Sequence, residues 1–259
     1  ASNKVYVRVI SVNNCYKVVT LEFNFIDAPR IYMDALFPLC QFTSKVIDAG
    51  PGYDSYFWST GETTQTITVN EPKHYWVMVT ENHNTSTGLL ICDSRKDFDV
   101  FLSNPAIIAD VKTTDWTENE NSIEIIAIGL GNYEYSIDGI NYQDNNHFEP
   151  LKNGIYTVYV RDKYDCGTVK EKVFLLIYPK YFTPNGDGFH DTWKLRLSEF
   201  EPGLTVKIFD RNGKFLKQLA NQLGWDGTLN NQPLPADDYW FVVTRADGTD
   251  FRGHFSLKR

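Results

Sequence analysis

The sequence repeats one plan three times: an alternating apolar strand that runs into a turn carrying a cysteine. The strands and their cysteines are Val5–Val9 with Cys15, Tyr75–Val79 with Cys92, and Tyr156–Val160 with Cys166. Because successive side chains of a strand point to opposite faces, this alternation indicates strands with one buried face. A second apolar strand follows each cysteine, which predicts a β-hairpin in every copy. The repeat therefore favours a row of small modules made of strands.

Composition supports an all-β fold. Aromatic residues make up 15% of the 259 residues, and Val, Ile and Thr are frequent. These side chains suit pleated, half-buried surfaces, and helix signals are almost absent. We expect tandem Ig-like β-sandwich modules that end in a small C-terminal β-sandwich.

Four modules are predicted, at 1–27, 28–103, 104–177 and 178–259. The first has a closing hairpin without preceding strands, so it is interpreted as the C-terminal part of a truncated Ig-like module. A polar insertion, Asn82–Gly88, lengthens the hairpin of the second copy.

Cysteine spacing predicts one disulfide. Cys40, Trp58 and Cys92 follow the immunoglobulin-like order, in which a Trp packs beside a bridge between two sheets. We expect a Cys40–Cys92 disulfide, and two buried free thiols are the alternative. Cys166 has no second cysteine in its module, so a free or buried thiol is expected there.

Charge and hydropathy exclude two partner classes. The net charge is −8, and no run of Lys and Arg could follow a phosphate backbone, so we expect no nucleic acid partner. No apolar run approaches the roughly 20 residues needed to cross a bilayer. We therefore expect no direct membrane insertion.

No catalytic motif is present. The five histidines are scattered over three modules, and the sequence contains no HExxH, GxSxG, Walker or GxGxxG pattern. We expect no catalytic residues and interpret the chain as non-enzymatic.

One segment carries a resemblance to a known family. Residues 181–193 read Tyr181-Phe-Thr-Pro184-Asn185-Gly186-Asp187-Gly188-Phe-His190-Asp191-Thr192-Trp193. They are similar to the opening signature of the type B C-terminal sorting domain of the type IX secretion system in Bacteroidetes, also called the gliding-motility-associated C-terminal domain. Further matches are Val206–Gly213, Gly224–Gly227, Leu234-Pro235, Tyr239-Trp240 and Gly253–Arg259. His190 departs from the family, which more often has Asn there.

The upstream modules resemble parts of adhesins. Ser59–Thr64 together with Tyr75–Val77 looks like the Ig/PKD-like modules of such proteins, and Tyr133–Gly139 is similar to SprB-type adhesin repeats. The resemblance implies a secreted, adhesin-like and gliding-associated protein that is retained at the outer cell surface. It further implies two partners, the type IX translocon and an outer-membrane protein of the SprF/PorP class.

The signature loop has a physical rationale of its own. Two Gly, one Pro and short polar side chains allow a tight turn with positive φ. Asn185, Asp187 and Asp191 could converge on Ca²⁺, which prefers oxygen ligands. The alternative is a network of Asx turns, so calcium is the one candidate cofactor.

The predicted partner surface combines three features of the last module. They are the signature loop, the tip of a hairpin and the terminal strand, which is expected to be exposed and able to add to another sheet. Its residues are Pro184, Asn185, Gly186, Asp187, Gly188, Asp191, Asn212, Gly213, Phe251, Gly253, Phe255 and Leu257.

A carbohydrate-binding module is the alternative function. Its stacking platform would consist of Tyr53, Tyr56, Trp58, Tyr75 and Trp76. Alternation argues against part of this set, because Tyr75 shares a strand face with Val77 and Val79.

Overall fold

The computed structural model describes residues 3–23, 25–85, 88–220 and 224–259. The chain divides into two compact units, residues 1–102 and 103–259. In the described ranges the regular elements are strands and one 3₁₀ turn, Ser198–Phe200, so the predicted all-β fold class is confirmed.

The first unit contains a hairpin and a two-sheet module. The hairpin pairs β1 (Lys4–Ile10) with β2 (Tyr16–Glu22). The other strands are β3 (Leu36–Cys40), β4 (Lys45–Asp48), β5 (Ser55–Trp58), β6 (Thr66–Val69), β7 (His74–Thr85) and β8 (Gly88–Ser103). One sheet has the order β3-β8-β7-β5, and β4 pairs with β6 in the other.

The second unit begins with two three-stranded sheets. Their strands are β9 (Ile107–Thr114), β10 (Asn121–Ile128), β11 (Tyr133–Ser136), β12 (His147–Leu151), β13 (Gly154–Asp162) and β14 (Thr168–Leu175). The orders are β12-β10-β9 and β11-β13-β14. Ile123, Ile125, Val158 and Val160 are fully buried, so the core lies where the apolar faces of β10 and β13 point inward.

A five-stranded sheet follows in the same unit. Its elements are β15 (Tyr181–Phe182), β16 (Thr205–Phe209), β17 (Phe215–Ala220), β20 (Asp237–Thr244) and β21 (Asp250–Leu257), in the order β15-β21-β20-β16-β17. A separate small pair joins β18 (Thr228–Leu229) to β19 (Gln232–Pro233).

The three repeated hairpins are confirmed as antiparallel pairs, β1–β2, β7–β8 and β13–β14. The core-facing valines of the second and third copies are 0% exposed; they are Val77, Val79, Val158 and Val160. The matching positions of the first copy, Val5, Val7 and Val9, are 48%, 38% and 55% exposed. The same pattern thus forms the same hairpin with or without a packed face.

The predicted Cys40–Cys92 bridge is wrong. Cys92, like Cys15, carries a free thiol. Cys92 lies opposite Glu81 on the outer arm of the β7–β8 hairpin, away from the buried positions of β8 that begin at Phe98. The insertion before Cys92 lengthens the hairpin and so places the cysteine outside the sandwich core. Ser86 and Thr87 of that insertion lie outside the described residues. The free or buried thiol expected at Cys166 is wrong as well, because its sulfur is disulfide-bonded.

Trp58 still occupies the core position that the immunoglobulin-like order predicts. It is fully buried, packs edge-on against Phe98 at 6.1 Å between ring centroids, and donates its indole N–H to the Thr64 carbonyl at 2.7 Å. A buried Trp satisfied in this way organises the module without the predicted Cys40–Cys92 bridge.

Candidate functional site

The aromatic residues of the C-terminal signature form the core of the last module. Phe182, Trp193 and Trp225 are fully buried, and Trp193 stacks on Phe255 at 4.0 Å between centroids. The indole N–H of Trp193 donates to the Pro179 carbonyl at 2.8 Å, and that of Trp225 donates to Thr228 at 2.9 Å. Each buried donor is therefore paired, as burial requires.

The signature loop is tied together by one carboxylate. Asp191 accepts the backbone N–H groups of Asn185 at 3.1 Å and Gly186 at 2.7 Å through Oδ1, and that of Gly188 at 2.7 Å through Oδ2. Gly186 and Gly188 have φ of +76° and +88°, a conformation that costs glycine little. The loop backbone folds around Asp191.

Asp187 forms the second turn of the same loop. It accepts the backbone N–H of Phe189 at 2.8 Å and the side-chain amide of Asn185 at 2.7 Å. The Phe189 N–H, and then the Asn185 amide, lower the pKa of Asp187. The loop is thus built as a network of Asx turns.

This geometry bears on the predicted calcium ligands Asn185, Asp187 and Asp191. Their oxygens already accept hydrogen bonds within the loop, which leaves fewer lone pairs for an ion that takes six to eight oxygens. Among the residues that the structure describes, no group of three or more His, Cys, Asp or Glu could hold a metal ion. The hydrogen bonds favour the Asx-turn alternative.

Much of the predicted partner surface is exposed. In the loop Pro184 and Asp191 are half-buried, and residues 185–190 are exposed, with Phe189 at 75%. Asn212 and Gly213 form the exposed tip of the β16–β17 hairpin, where Gly213 has φ of +79°. This is the tight turn that Asn-Gly predicts.

The expectation of an exposed terminal strand is wrong. β21 pairs with β20 along its whole length and with β15 at Ser256 and Leu257. Phe255 and Leu257 are buried, and Phe251 packs partly buried against the same core. A Cβ at Gly253 would meet Phe241 at 2.6 Å. The strand's apolar alternation is the pattern of a core strand, so these four residues face inward.

Sequence reasoning missed an ion cluster that joins the last module to the one before it. Arg245, after β20, donates to Glu201 at 2.9 and 2.7 Å and to Asp115 at 3.0 Å. Burial raises the pKa of Asp115, and the charge of Arg245 opposes that rise. No local pattern could reveal the cluster, because Asp115 and Arg245 are 130 positions apart.

Aromatic stacking reinforces the same junction. Trp116 lies on Phe251 at 4.3 Å between centroids, with planes 8° apart, and Phe174 lies on Phe200 at 4.9 Å. Residues of two predicted modules therefore share one packed boundary.

The predicted sugar platform is largely taken up by packing. Trp58 and Tyr75 are buried in the core. Tyr53 and Tyr56 are edge-on to each other and donate their hydroxyls to backbone carbonyls. Trp76 alone of the five points outward beside exposed residues, with the guanidinium of Arg95 at 4.6 Å from its ring.

Comparison with known families finds a match in the C-terminal module. Residues 176–256 match the CHU_C type IX secretion signal domain. The matched range covers the buried aromatic core, the signature loop and nearly all of β21. The matched module is therefore a folded, aromatic-centred sandwich, and a match to a type IX secretion signal implies a secreted protein.

Solved structures with Ig-type or cadherin modules are among the structural neighbours. The eight N-terminal Ig domains of Down syndrome cell adhesion molecule have 11% identity and a TM-score of 0.29, covering 99% of this chain and 43% of that one. The amphioxus IgVJ-C2 molecule has 15% identity and a TM-score of 0.27, covering 53% and 98%. The chain thus spans less than half of the first of these.

A third neighbour is SGBP-B of Bacteroides ovatus, solved with a mixed-linkage heptasaccharide. It has 13% identity and a TM-score of 0.22, covering 91% of this chain and 68% of that one. No curated protein matches the chain.

None of the helical structure in the described ranges is long and apolar enough to cross a membrane.

Proposed function

We propose that this chain is the C-terminal region of an adhesin-like cell-surface protein, in which the last module directs export by the type IX system and retention at the outer surface. The match of residues 176–256 to a type IX secretion signal domain carries this proposal. The last module serves as the anchor. The upstream β modules act as a stalk that holds the rest of the exported protein away from it.

The packing of the last module supports recognition of a folded shape. The residues that make the signature distinctive, Phe182, Trp193 and Trp225, are buried, so a partner cannot contact their side chains directly. What they provide is a rigid scaffold for exposed features such as the signature loop. A translocon component that binds these exposed features therefore requires the module to be folded.

Retention needs a second partner at the outer membrane. An SprF/PorP-like protein fits this role, which follows from the resemblance of residues 181–193 to type B sorting domains. The gliding-associated, adhesin-like role and an origin in Bacteroidetes belong to the same proposal. No enzymatic step is part of it.

Carbohydrate binding is the second candidate function. Trp76 lies at 5.7 Å from the exposed Phe57, measured between ring centroids, with Arg95 beside it, and such groups can contact a sugar. Gel retardation by soluble polysaccharides tests it. A Trp76→Ala variant that runs like the wild type in every polysaccharide gel would remove this candidate.

Export and retention can be tested by truncation in a bacterium that has a type IX system. The full chain is compared with a variant that lacks Phe251–Arg259 and with Lys170→Ala, an exposed change in another module. We expect protease-accessible protein on cells for the full chain and for Lys170→Ala only. Wild-type surface display of the truncated protein would contradict the proposal.

A further inference from the structure

The three repeated hairpins share one register. Each places the first residue of its apolar alternation opposite another apolar side chain, and these pairs are Val5–Leu21, Tyr75–Phe98 and Tyr156–Val173. Directly paired residues point to the same face of a sheet. The valines that follow at alternate positions therefore belong to equivalent faces of the three hairpins. We call this face the valine face.

A second β-sheet covers the valine face in two of the three copies. In the second module the face shares one buried core with Ile47, Ile67 and Val69 of β4 and β6. In the third module it shares a core with Ile123 and Ile125 of β10. In both modules the cover is a sheet with β-branched aliphatic side chains, and its strands precede the hairpin in the sequence.

The same two modules also add a strand to the first strand of the hairpin. β5 pairs antiparallel with β7 and places Tyr56 opposite Val79. β11 pairs antiparallel with β13 and places Tyr135 opposite Val160. In each case a tyrosine lies opposite the last valine of the alternation, on a strand that precedes the hairpin.

The first hairpin has neither the cover nor the added strand among the described residues. Its sheet consists of β1 and β2 alone. Leu21 and Phe23 are 44% and 43% exposed, whereas Phe98 and Val100, at the matching positions of β8, are buried. A two-stranded hairpin is at best marginally stable in water by itself. The valine face of β1–β2 therefore needs a cover of the kind that the other two copies have.

Backbone hydrogen bonds show which edge of β1 is open. Phe23 donates its N–H to the Asn3 carbonyl at 2.8 Å, and hydrogen-bonded pairs alternate along an antiparallel ladder. The N–H groups of Tyr6 and Arg8 therefore point away from β2. In the second module β5 uses the same edge of β7, because Ser59 donates its N–H to the Trp76 carbonyl at 2.9 Å.

The opposite face of the first hairpin carries charged contacts. Lys4 forms a salt bridge with Glu22 at 2.6 Å, and the guanidinium of Arg8 lies 4.0 Å from the centre of the Tyr16 ring. Such contacts suit a face in water. The valine face is therefore the one that lacks its partner.

The size of the valine face decides what kind of partner can cover it. Two strands of seven residues form a face of roughly 10 Å by 23 Å. A stable complex of separate proteins buries about 800 Å² on each partner, which is far more than this face offers. A second copy or another protein would therefore bind it weakly. A segment of the same polypeptide is present at high effective concentration, so a small face is enough.

We propose that β1–β2 closes an Ig-like module whose other strands come from the polypeptide immediately N-terminal to the hairpin. One of these strands pairs antiparallel with the open edge of β1 and places a tyrosine opposite Val9. A sheet with β-branched side chains covers Val5, Val7 and Leu21. The inference is independent of the proposed export function, because it concerns the other end of the chain.

Hydrogen exchange tests the inference without any substitution. In residues 1–259 alone, the amides paired between β1 and β2 should exchange about 100-fold or more faster than those paired between β7 and β8, because an uncovered hairpin opens readily. In a polypeptide extended by the natural residues that precede position 1, protection in β1–β2 should rise to that of β7–β8. The amides of Tyr6 and Arg8 should become protected as well, since the added strand pairs at that edge.

Two exchange results would overturn the inference. One is equal exchange in β1–β2 with and without the natural extension. The other is protection that rises with protein concentration in residues 1–259 alone, which would assign the valine face to a second copy.

Crosslinking identifies the covering segment directly in the polypeptide as its own cells make it. A photoreactive phenylalanine analogue at position 7, on the valine face, should crosslink within one polypeptide to a segment that precedes position 1 and alternates β-branched residues. The matched control is the analogue at position 6, on the opposite face of the same strand, which should not form this crosslink. Crosslinks from position 7 to a second copy or to another protein, or none, would contradict the inference.

Discussion

At the scale of single residues, short acidic side chains shape the turns of this molecule. Asp191 collects three backbone N–H groups of the signature loop, and Asp138 accepts those of Ile140 and Asn141. The glycines of these turns could be predicted, because positive φ is readily allowed for glycine. The sequence could not decide between a calcium site and a network of Asx turns, since the same side-chain oxygens can bind the ion or accept the hydrogen bonds.

Replacing Asp191 by Ala should loosen the signature loop. Three N–H groups lose their acceptor, and the loss should be about 1 kcal/mol, similar to removal of a helix cap. Urea unfolding monitored by tryptophan fluorescence measures it, with Asp110→Ala, an exposed strand position, as the control. An unchanged midpoint would show that Asp191 does not hold the loop.

Calcium binding is tested on the unmodified chain. If the Asx turns suffice, the thermal unfolding midpoint should be the same with millimolar calcium and with a chelator, because a ligand of the native state raises stability. A higher midpoint with calcium would instead support ion binding at Asn185, Asp187 and Asp191.

Acid should weaken the Asp138 turn. Hydrogen bonds from the backbone of Ile140 and then of Asn141 lower the pKa of Asp138 from its ordinary value of 3.8. A carboxyl group with a lowered folded pKa stabilises the protein above its unfolded pKa, and this contribution is lost as pH falls through the folded value. The wild type should therefore lose more stability below about pH 4 than Asp138→Asn does. Equal losses in urea titrations at neutral and acid pH would contradict this assignment.

At the scale of elements, the alternation of apolar residues predicted where the strands lie but did not predict their order in the sheets. Each repeated hairpin follows from its apolar alternation, and the turns at Asn212-Gly213 and Asp247-Gly248 follow from their residues. The position of β21 between β15 and β20 is set by contacts distant in sequence, so its burial was missed. The lengthened β7–β8 hairpin likewise displaced Cys92 from the core.

Two tryptophans of the last module allow a matched comparison of core and surface. Trp225 is fully buried, whereas Trp240 is 49% exposed on the outer face. Trp225→Ala should cost about 3–5 kcal/mol, the usual loss for a large buried side chain. Trp240→Ala should cost less than about 1 kcal/mol, as surface changes usually do. Similar losses for both in urea unfolding would contradict the assigned faces.

At the scale of the whole molecule, the C-terminal module and the module before it form one compact unit, residues 103–259. Arg245 is 18% exposed at its side chain and Asp115 is 4% exposed, so their pair is largely removed from water. Loss of Asp115 would leave Arg245 with Glu201 as its remaining carboxylate partner and would remove a buried charged acceptor. The sequence could not predict this junction, because its residues come from separate modules.

Breaking this pair should therefore destabilise the second unit. Asp115→Ala should cost about 1.5–3 kcal/mol, because Arg245 keeps Glu201 as a partner while Arg245 and the Leu176 N–H each lose a buried charged acceptor. The control is Asp144→Ala, which removes the exposed partner of Lys163 and should cost at most about 1 kcal/mol. Chemical denaturation followed at the tryptophans compares them, and equal small losses would show that the junction contributes little.

The central claim is that the folded C-terminal module is a type IX export signal. Its most direct test fuses a reporter to the N-terminus of the full chain and compares a type IX-competent bacterium with an isogenic strain that lacks the translocon. We predict that external protease reaches the reporter on intact cells of the competent strain alone. Equal accessibility in both strains, or none in the competent strain, would contradict the account.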